Sequence, residues 1–414
     1  MASLSTETSM PRRRLASALG LATLAVAAPT RAQHSGGHKT EARAARPQLA
    51  ISGAFAPNGE LWVVGLDAER RLVLRISRDD GRTWRPQRLL GTGNDTVAAD
   101  GENRPKIVFG PNRWVVIAYT KPLARPYTGE IRMLRSGDAG RTFTAPFTVH
   151  RDRRLITHRF ESVAFDATGA LHTLWIDKRD AEAARAKAGD TASKTAYAGA
   201  AVYRNVSTDG GATFGPDLRL AEHSCECCRI ALAPDTTGGL AALWRHVFNG
   251  DVRDHAFARI APRGAKSSPA VRATFDEWSI DACPHHGPGL AAAADGGFHA
   301  VWFGERDGEA AVRYARLSAS GQPIGEPRPL PDSQAEHATV ASAGNTLAIA
   351  WRSFDGSVMR FNALLSFDGG LTFEPRDIAQ TTEDNDHPLL VRKGGLLFGV
   401  WRTATEIHVE RLSA

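Results

Sequence analysis

Ser77-Arg78-Asp79-Asp80-Gly81-Arg82-Thr83-Trp84 returns three more times along the chain. The copies are Ser136-Gly137-Asp138-Ala139-Gly140-Arg141-Thr142-Phe143, Ser207-Thr208-Asp209-Gly210-Gly211-Ala212-Thr213-Phe214 and Ser366-Phe367-Asp368-Gly369-Gly370-Leu371-Thr372-Phe373. The shared pattern S-x-D-x-G-x-T-[WF] has the chemistry of a tight hairpin. The Asp side chain accepts backbone N–H bonds across the turn, the Gly takes a positive φ, and the terminal aromatic packs between sheets. A unit repeated through the chain decides the fold before any isolated motif does.

A second repeat counts the units. Short apolar strands ending in Trp recur at 171–175, 240–244, 298–302, 347–351 and 397–401, with 61–65 and 114–119 as weaker relatives. Each follows a Gly- or Asn-containing turn and another apolar strand, and each precedes a strand of alternating pattern. Aligned on Trp, these units place seven inner strands beginning near 46, 103, 158, 226, 283, 336 and 386. Spacings of roughly 50 to 68 residues suit four-stranded blades with variable loops. The predicted fold is therefore all-β, a β-propeller of seven four-stranded blades, with six as the alternative count. The last unit runs out after three strands, so residues 33–45 either stay flexible or close the last blade, and 46–414 form one propeller domain. Residues 181–199, rich in Ala and Lys, read as an exposed insertion.

The octets resemble the Asp-box, or BNR repeat, of sialidase-like β-propellers. That resemblance implies the fold and nothing catalytic, because Asp-boxes lie on the outside of blades.

The remaining arithmetic narrows the function. The chain has 414 residues, 42% hydrophobic and 23% charged, ordinary proportions for a globular protein. Its formal charge is +6, but Arg12, Arg13, Arg14 and Arg31 against Glu7 supply half of it within residues 1–32. A nucleic-acid binder is not indicated. The three Arg precede an apolar run at 15–28, and Thr30-Arg31-Ala32 offers small residues for cleavage, so residues 1–32 read as an export signal. The run is too short for a permanent span, so no stable membrane insertion is expected, and the mature protein is placed in the periplasm or secreted.

In a propeller, the residues leading into each inner strand ring the mouth of the central channel. The alignment puts Asn103-Arg104, His158-Arg159, Cys227-Cys228, His285-His286, Glu336-His337 and Asp386-His387 there. Cys225 and Cys283 lie close by in sequence. Thiolates with nearby imidazoles select soft or borderline metals, Cu(I) first and zinc second. Cys225, Cys227, Cys228, Cys283, His285, His286, His337 and His387 are therefore the candidate metal ligands. Disulfides are the competing reading for an exported chain with an even Cys count, Cys225 or Cys228 bonding Cys283. Adjacent Cys227 and Cys228 make any full pairing awkward, because a vicinal bridge is strained.

The stretches H-S-C-E-C-C-R-I-A-L-A at 223–233 and D-E-W-S-I-D-A-C-P-H-H-G-P-G-L at 276–290 resemble a subgroup of exported bacterial propellers with C-x-C-C in one blade and C-P-x-x-G-P in the next. This resemblance implies periplasmic copper handling. The main expectation is thus a copper-binding protein for acquisition, transfer or tolerance, more a binder than an enzyme, exchanging its ion with a membrane transporter or another periplasmic carrier. The alternative is a sialidase-like glycan-binding or glycoside hydrolase propeller whose Cys form structural disulfides. Sialidases need three Arg on the substrate carboxylate and a Tyr nucleophile. Arg104, Arg159, Arg229, Glu161 and Tyr203 are available, but residues 46–52 lack the family's F/Y-R-I-P sequence, and sialidase activity is disfavoured.

Overall fold

The computed structural model describes residues 48–188 and 199–413. The export signal and the 33–45 segment lie outside the described residues, as do Arg46 and most of the 181–199 insertion. The described insertion residues continue a helix, Arg179–Ala188, anchored where Asp180 accepts a hydrogen bond from the Tyr203 hydroxyl at 3.0 Å.

Seven antiparallel sheets are present, six of four strands and one of three, each running inside to outside in chain order or its reverse. Their inner strands are Ser52–Phe55, Lys106–Phe109, His158–Phe165, Ala231–Pro234, Gly289–Ala292, Glu336–Ala343 and Leu389–Lys393. These define blades 1 to 7 of a β-propeller, and seven rather than six is the blade count. Blade 7 has only Leu389–Lys393, Leu396–Arg402 and Ile407–Arg411 among the described residues.

Why these residues form blades follows from what each second strand buries. Leu61–Leu66, Leu171–Asp177 and Leu240–Arg245 are buried at every position, so each is covered on both faces. The core is accordingly a ring of interfaces between neighbouring blades. One apolar cluster joins blades 1 and 2 through Trp62, Val64, Ile117 and Tyr119, and another joins blades 4 and 5 through Leu243, Phe257, Phe298 and Trp302. Ile51, Leu61, Val391 and Phe398 close the ring between blades 7 and 1. The repeated Trp are anchors with a polar tip. Trp175 donates to Asp177, Trp302 to Asp276, Trp351 to Asp332 and Trp401 to the Asp386 carbonyl, at 2.7 to 2.8 Å, whereas the buried Trp244 indole N–H has no partner.

The four octets form one network. In each, the Ser hydroxyl accepts the N–H of the second Gly position (Gly81, Gly140, Gly211, Gly370), and one Asp oxygen accepts the Thr N–H. The other Asp oxygen takes the Thr hydroxyl at 2.6 to 2.7 Å. Those glycines have φ between 79° and 91°, a region that an L side chain enters only under strain.

Inner strands begin later than the Trp alignment places them in five blades. Blade 4 starts at Ala231 rather than near 226, and blade 5 at Gly289 rather than near 283. The cause is local chemistry. Pro284 and Pro288 lack an N–H for the ladder, and His285 sits at φ 57°. Cys227-Cys228 and His285-His286 therefore belong to loops that lead into the strands. Blades 3 and 6 start where expected, and each carries a register shift at its mouth end, next to Phe160 (φ 58°) and His337 (φ 53°). Such bulges bend a strand end and re-aim its side chains.

Candidate functional site

The lead-in loops converge at the channel mouth, and the residue at their centre is Glu102, 5% exposed. One of its oxygens takes Arg229 Nη1 at 2.6 Å and His337 Nδ1 at 3.1 Å, and the other takes the N–H groups of Arg229 and Gly287, both at 3.2 Å. A single carboxylate from blade 2 thus ties together the lead-ins of blades 4, 5 and 6. Burial alone would raise its pKa, but Arg229, His337 and Arg104 override that and hold the carboxyl well below the usual range. The packing admits no side chain at Gly287, where a Cβ would lie 2.6 Å from Glu102 Oε2.

Beside it stands a column of rings. His387 stacks on His337 at 3.4 Å between centroids, His337 on His286 at 4.2 Å, and His286 on Phe303 at 4.4 Å. Burial pushes all three imidazoles toward the neutral form, and His286, with His337 next to it, is depressed to about 3. The Nδ1 atoms of His286 and His387 are buried without a hydrogen-bond partner.

The third feature is an amine and a carboxyl on the inner strands of blades 2 and 3, Lys106, which donates to the Arg104 carbonyl at 3.0 Å, and Glu161. Lys106 is depressed to about 8, by burial and by the neighbouring Arg104 and Arg229 acting against Glu161. Glu161 is raised by its own burial against the pull of Lys106. Thr120 donates to one Glu161 oxygen at 2.7 Å, while the other is buried without a partner. Burial thus shifts both groups toward their neutral forms. Arg159 stands at the rim, 3.7 Å from Asp100. Arg104 is spent on Asp386, the carbonyl of Ile51 and the carbonyl of Gly101, and Arg229 on Glu102 and the carbonyls of Pro288 and Ala338. Tyr203 lies 6.3 Å from the Trp175 ring in a tilted arrangement and bonds to Asp180, on the sheet rather than at the mouth.

The thiols form a group of their own. Cys225 and Cys227 sulfurs are 3.6 Å apart, Cys227 and Cys228 3.7 Å, and one sulfur each from Cys225, Cys227 and Cys283 lie within 4.8 Å of one another. Cys225, Cys227 and Cys228 are buried between blades 3 and 4, whereas Cys283 is exposed, and none is bridged. Donation from the other thiols and the nearby Arg245 favour the thiolate at Cys225. Of the expected ligands, His286, His337 and His387 come together around Glu102, while exposed His285 joins neither group. Among the described residues, no cluster of three or more close ligand atoms contains both a thiol and an imidazole, so the mixed Cys/His rim is two separate clusters. Glu102, Lys106 and Thr120 were missed. Glu102 directly precedes Asn103-Arg104, so widening the blade 2 lead-in by one residue would have found it.

No known protein-family model matches the sequence, and no curated protein matches it. Solved structures do share the fold. An ulvan lyase bound to -[GlcA(1-4)Rha3S]- superposes with TM-score 0.57 at 10% identity, covering 89% of this chain and 94% of its own. The polysaccharide lyase Uly1 gives TM-score 0.55 at 10% identity, covering 88% and 90%. A Hadza microbial sialidase gives 0.49 at 13% identity, covering 84% and 74%.

These findings correct two expectations. The proteins of like fold are glycan-processing enzymes rather than copper carriers, while the expected ligands fall into a thiol group and an imidazole group, each with the spacing to hold a metal ion. Copper handling is withdrawn as the function. So is the preference for a binder over an enzyme, since the proteins of like fold are enzymes.

Proposed function

We propose that this propeller is a glycan-processing enzyme that cleaves a polysaccharide laid across the channel mouth. The observation that carries the reading is a carboxyl raised and an amine lowered by burial, Glu161 and Lys106, on the inner strands of the neighbouring blades 3 and 2. Glu161, whose carboxyl burial shifts toward the protonated form, is assigned as the proton donor to the leaving glycosidic oxygen. Lys106, with part of its population neutral near pH 7 to 8, accepts one. Arg159 offers a cation to an acidic sugar at the rim. Glu102 and the stacked His are positioning groups in this scheme, because Glu102 already has its four N–H donors. The like fold of two polysaccharide lyases supports the reading without fixing the substrate. The export signal read at residues 1–32 belongs to the same proposal, since structural polysaccharides are met outside the cytoplasm.

The test is to incubate the purified protein with neutral, sulfated and uronate-containing polysaccharides, and to measure reducing ends together with the ultraviolet absorbance of unsaturated uronates. New reducing ends on at least one polymer support the reading, and the absorbance separates elimination from hydrolysis. No new ends on any acidic or neutral polymer would sink it.

A further inference from the structure

The thiol group takes no part in the scheme above, yet it adjoins the segment that carries His286. Residues 276–288 run from the outer strand of blade 4, Val271–Arg272, to the inner strand of blade 5, Gly289–Ala292. Both ends of this segment are fastened. At one end Asp276 accepts the Trp302 indole at 2.7 Å, and Arg253 holds the carbonyls of Trp278 and Ile280 at 2.8 and 3.1 Å. At the other, the His286 carbonyl accepts Arg245 at 3.0 Å, the Gly287 N–H donates to Glu102, and the Pro288 carbonyl accepts Arg229. Between them Asp281, Ala282, Cys283 and His285 are exposed. Cys283 is therefore an accessible thiol in the slack part of the segment, with two buried sulfurs within 4.8 Å.

We propose that Cys283 and Cys225 form a reversible disulfide that fixes this segment, and through it His286, against the channel mouth. Cys225 is the favoured partner for two reasons. A vicinal Cys227–Cys228 bridge would strain the backbone, and any bridge within Cys225–Cys228 would leave the accessible Cys283 unused. Arg253, which grips the segment, also places Nη1 4.0 Å from the Cys225 sulfur, tying that thiol to the segment of its partner. Cys227, in the same trio, is left as an exchanging thiol.

The oxidant is a small-molecule or protein disulfide. Cys283 thiolate attacks it, breaking its S–S bond and releasing one thiol. Cys225 thiolate then attacks the Cys283 sulfur of the mixed disulfide and releases the second. Two protein thiols lose two electrons and two protons, and the oxidant becomes two thiols. The bridge stands independently of glycan cleavage; only its effect on turnover rests on that reading.

The experiment uses the full chain, equilibrated with oxidised glutathione, alkylated, digested and analysed by mass spectrometry with and without dithiothreitol. A cross-linked pair of peptides containing Cys225 and Cys283, lost on reduction and absent from Cys283→Ser, is the expected result. Hydrogen exchange over 279–286 should be slower in the oxidised wild type by about tenfold, with the rest of the propeller unchanged. Because Cys283 is exposed, Cys283→Ser should fold normally, which its circular dichroism and melting curve check. Four alkylatable thiols after oxidation, bridges confined to 225–228, or a tightly bound metal shielding the sulfurs would each overturn the inference. A bridge without any glycan cleavage would leave this inference standing and remove the functional one, and the reverse result would do the opposite.

Discussion

The outer turns of the propeller and its channel mouth are made by the same repeating unit and held by opposite means. At the rim, each Ser–Asp–Gly–Thr turn satisfies itself within four residues, four times over, with the Asp and Thr side chains facing water. At the mouth, Glu102 is buried and bonded to groups 127, 185 and 235 residues away, each from a different blade and none repeated. Rim turns can be lost singly at small cost. The mouth is one network, and because its polar groups are desolvated, removing one strands its partners.

The largest effect should come from the hub. Glu102→Ala leaves the half-buried Arg229 guanidinium without its carboxylate and strips the acceptor from two backbone N–H groups, so urea denaturation should show a loss of about 3 kcal/mol. A loss below about 1 kcal/mol would mean that the mouth is no more cooperative than the rim.

Acid should come next. The folded pKa values of His286, His337 and His387 are depressed, so their contribution to stability is present above the unfolded pKa of about 6.5 and is lost as pH falls below it. Each ring that stays neutral when folded should cost about 2 kcal/mol between pH 6.5 and pH 5. The denaturation midpoint should therefore fall steeply over that interval, and His387→Phe, which keeps the stack and removes the titration, should flatten the fall.

The smallest effect belongs to the rim. Ser207→Ala removes the acceptor for Gly211 N–H and one donor to Asp209, and should cost about 1 kcal/mol in the same measurement. A cost equal to that of Glu102→Ala would erase the distinction between the two regions.

The contrast also explains what could be read from the chain. The four octets and the Trp-ended strands gave seven blades and the three-stranded last sheet, because their information lies in short spacings. The mouth was legible only in outline. His337 and His387 were placed there by counting back from Trp351 and Trp401, and they do stack on one another. The same count began the inner strands of blades 4 and 5 a few residues too early, since it assumed extended backbone where, in blade 5, Pro284, Pro288 and a positive φ at His285 make a loop. It also merged thiols and imidazoles that the loops hold apart. Glu102 escaped because the blade 2 lead-in was read one residue short, and Lys106 because a lone basic residue in a strand carries no local signature.

The central claim is that the mouth, through Glu161 and Lys106, cleaves glycan while the rim only holds blades together. Initial rates for wild type, Glu161→Gln and Ser207→Ala on the polysaccharide that the wild type degrades best test it most directly. Loss of the proton donor should lower the rate of Glu161→Gln by about a hundredfold or more, with Ser207→Ala at the wild-type rate. A Glu161→Gln variant as active as the wild type, in protein shown to be folded, would contradict the account.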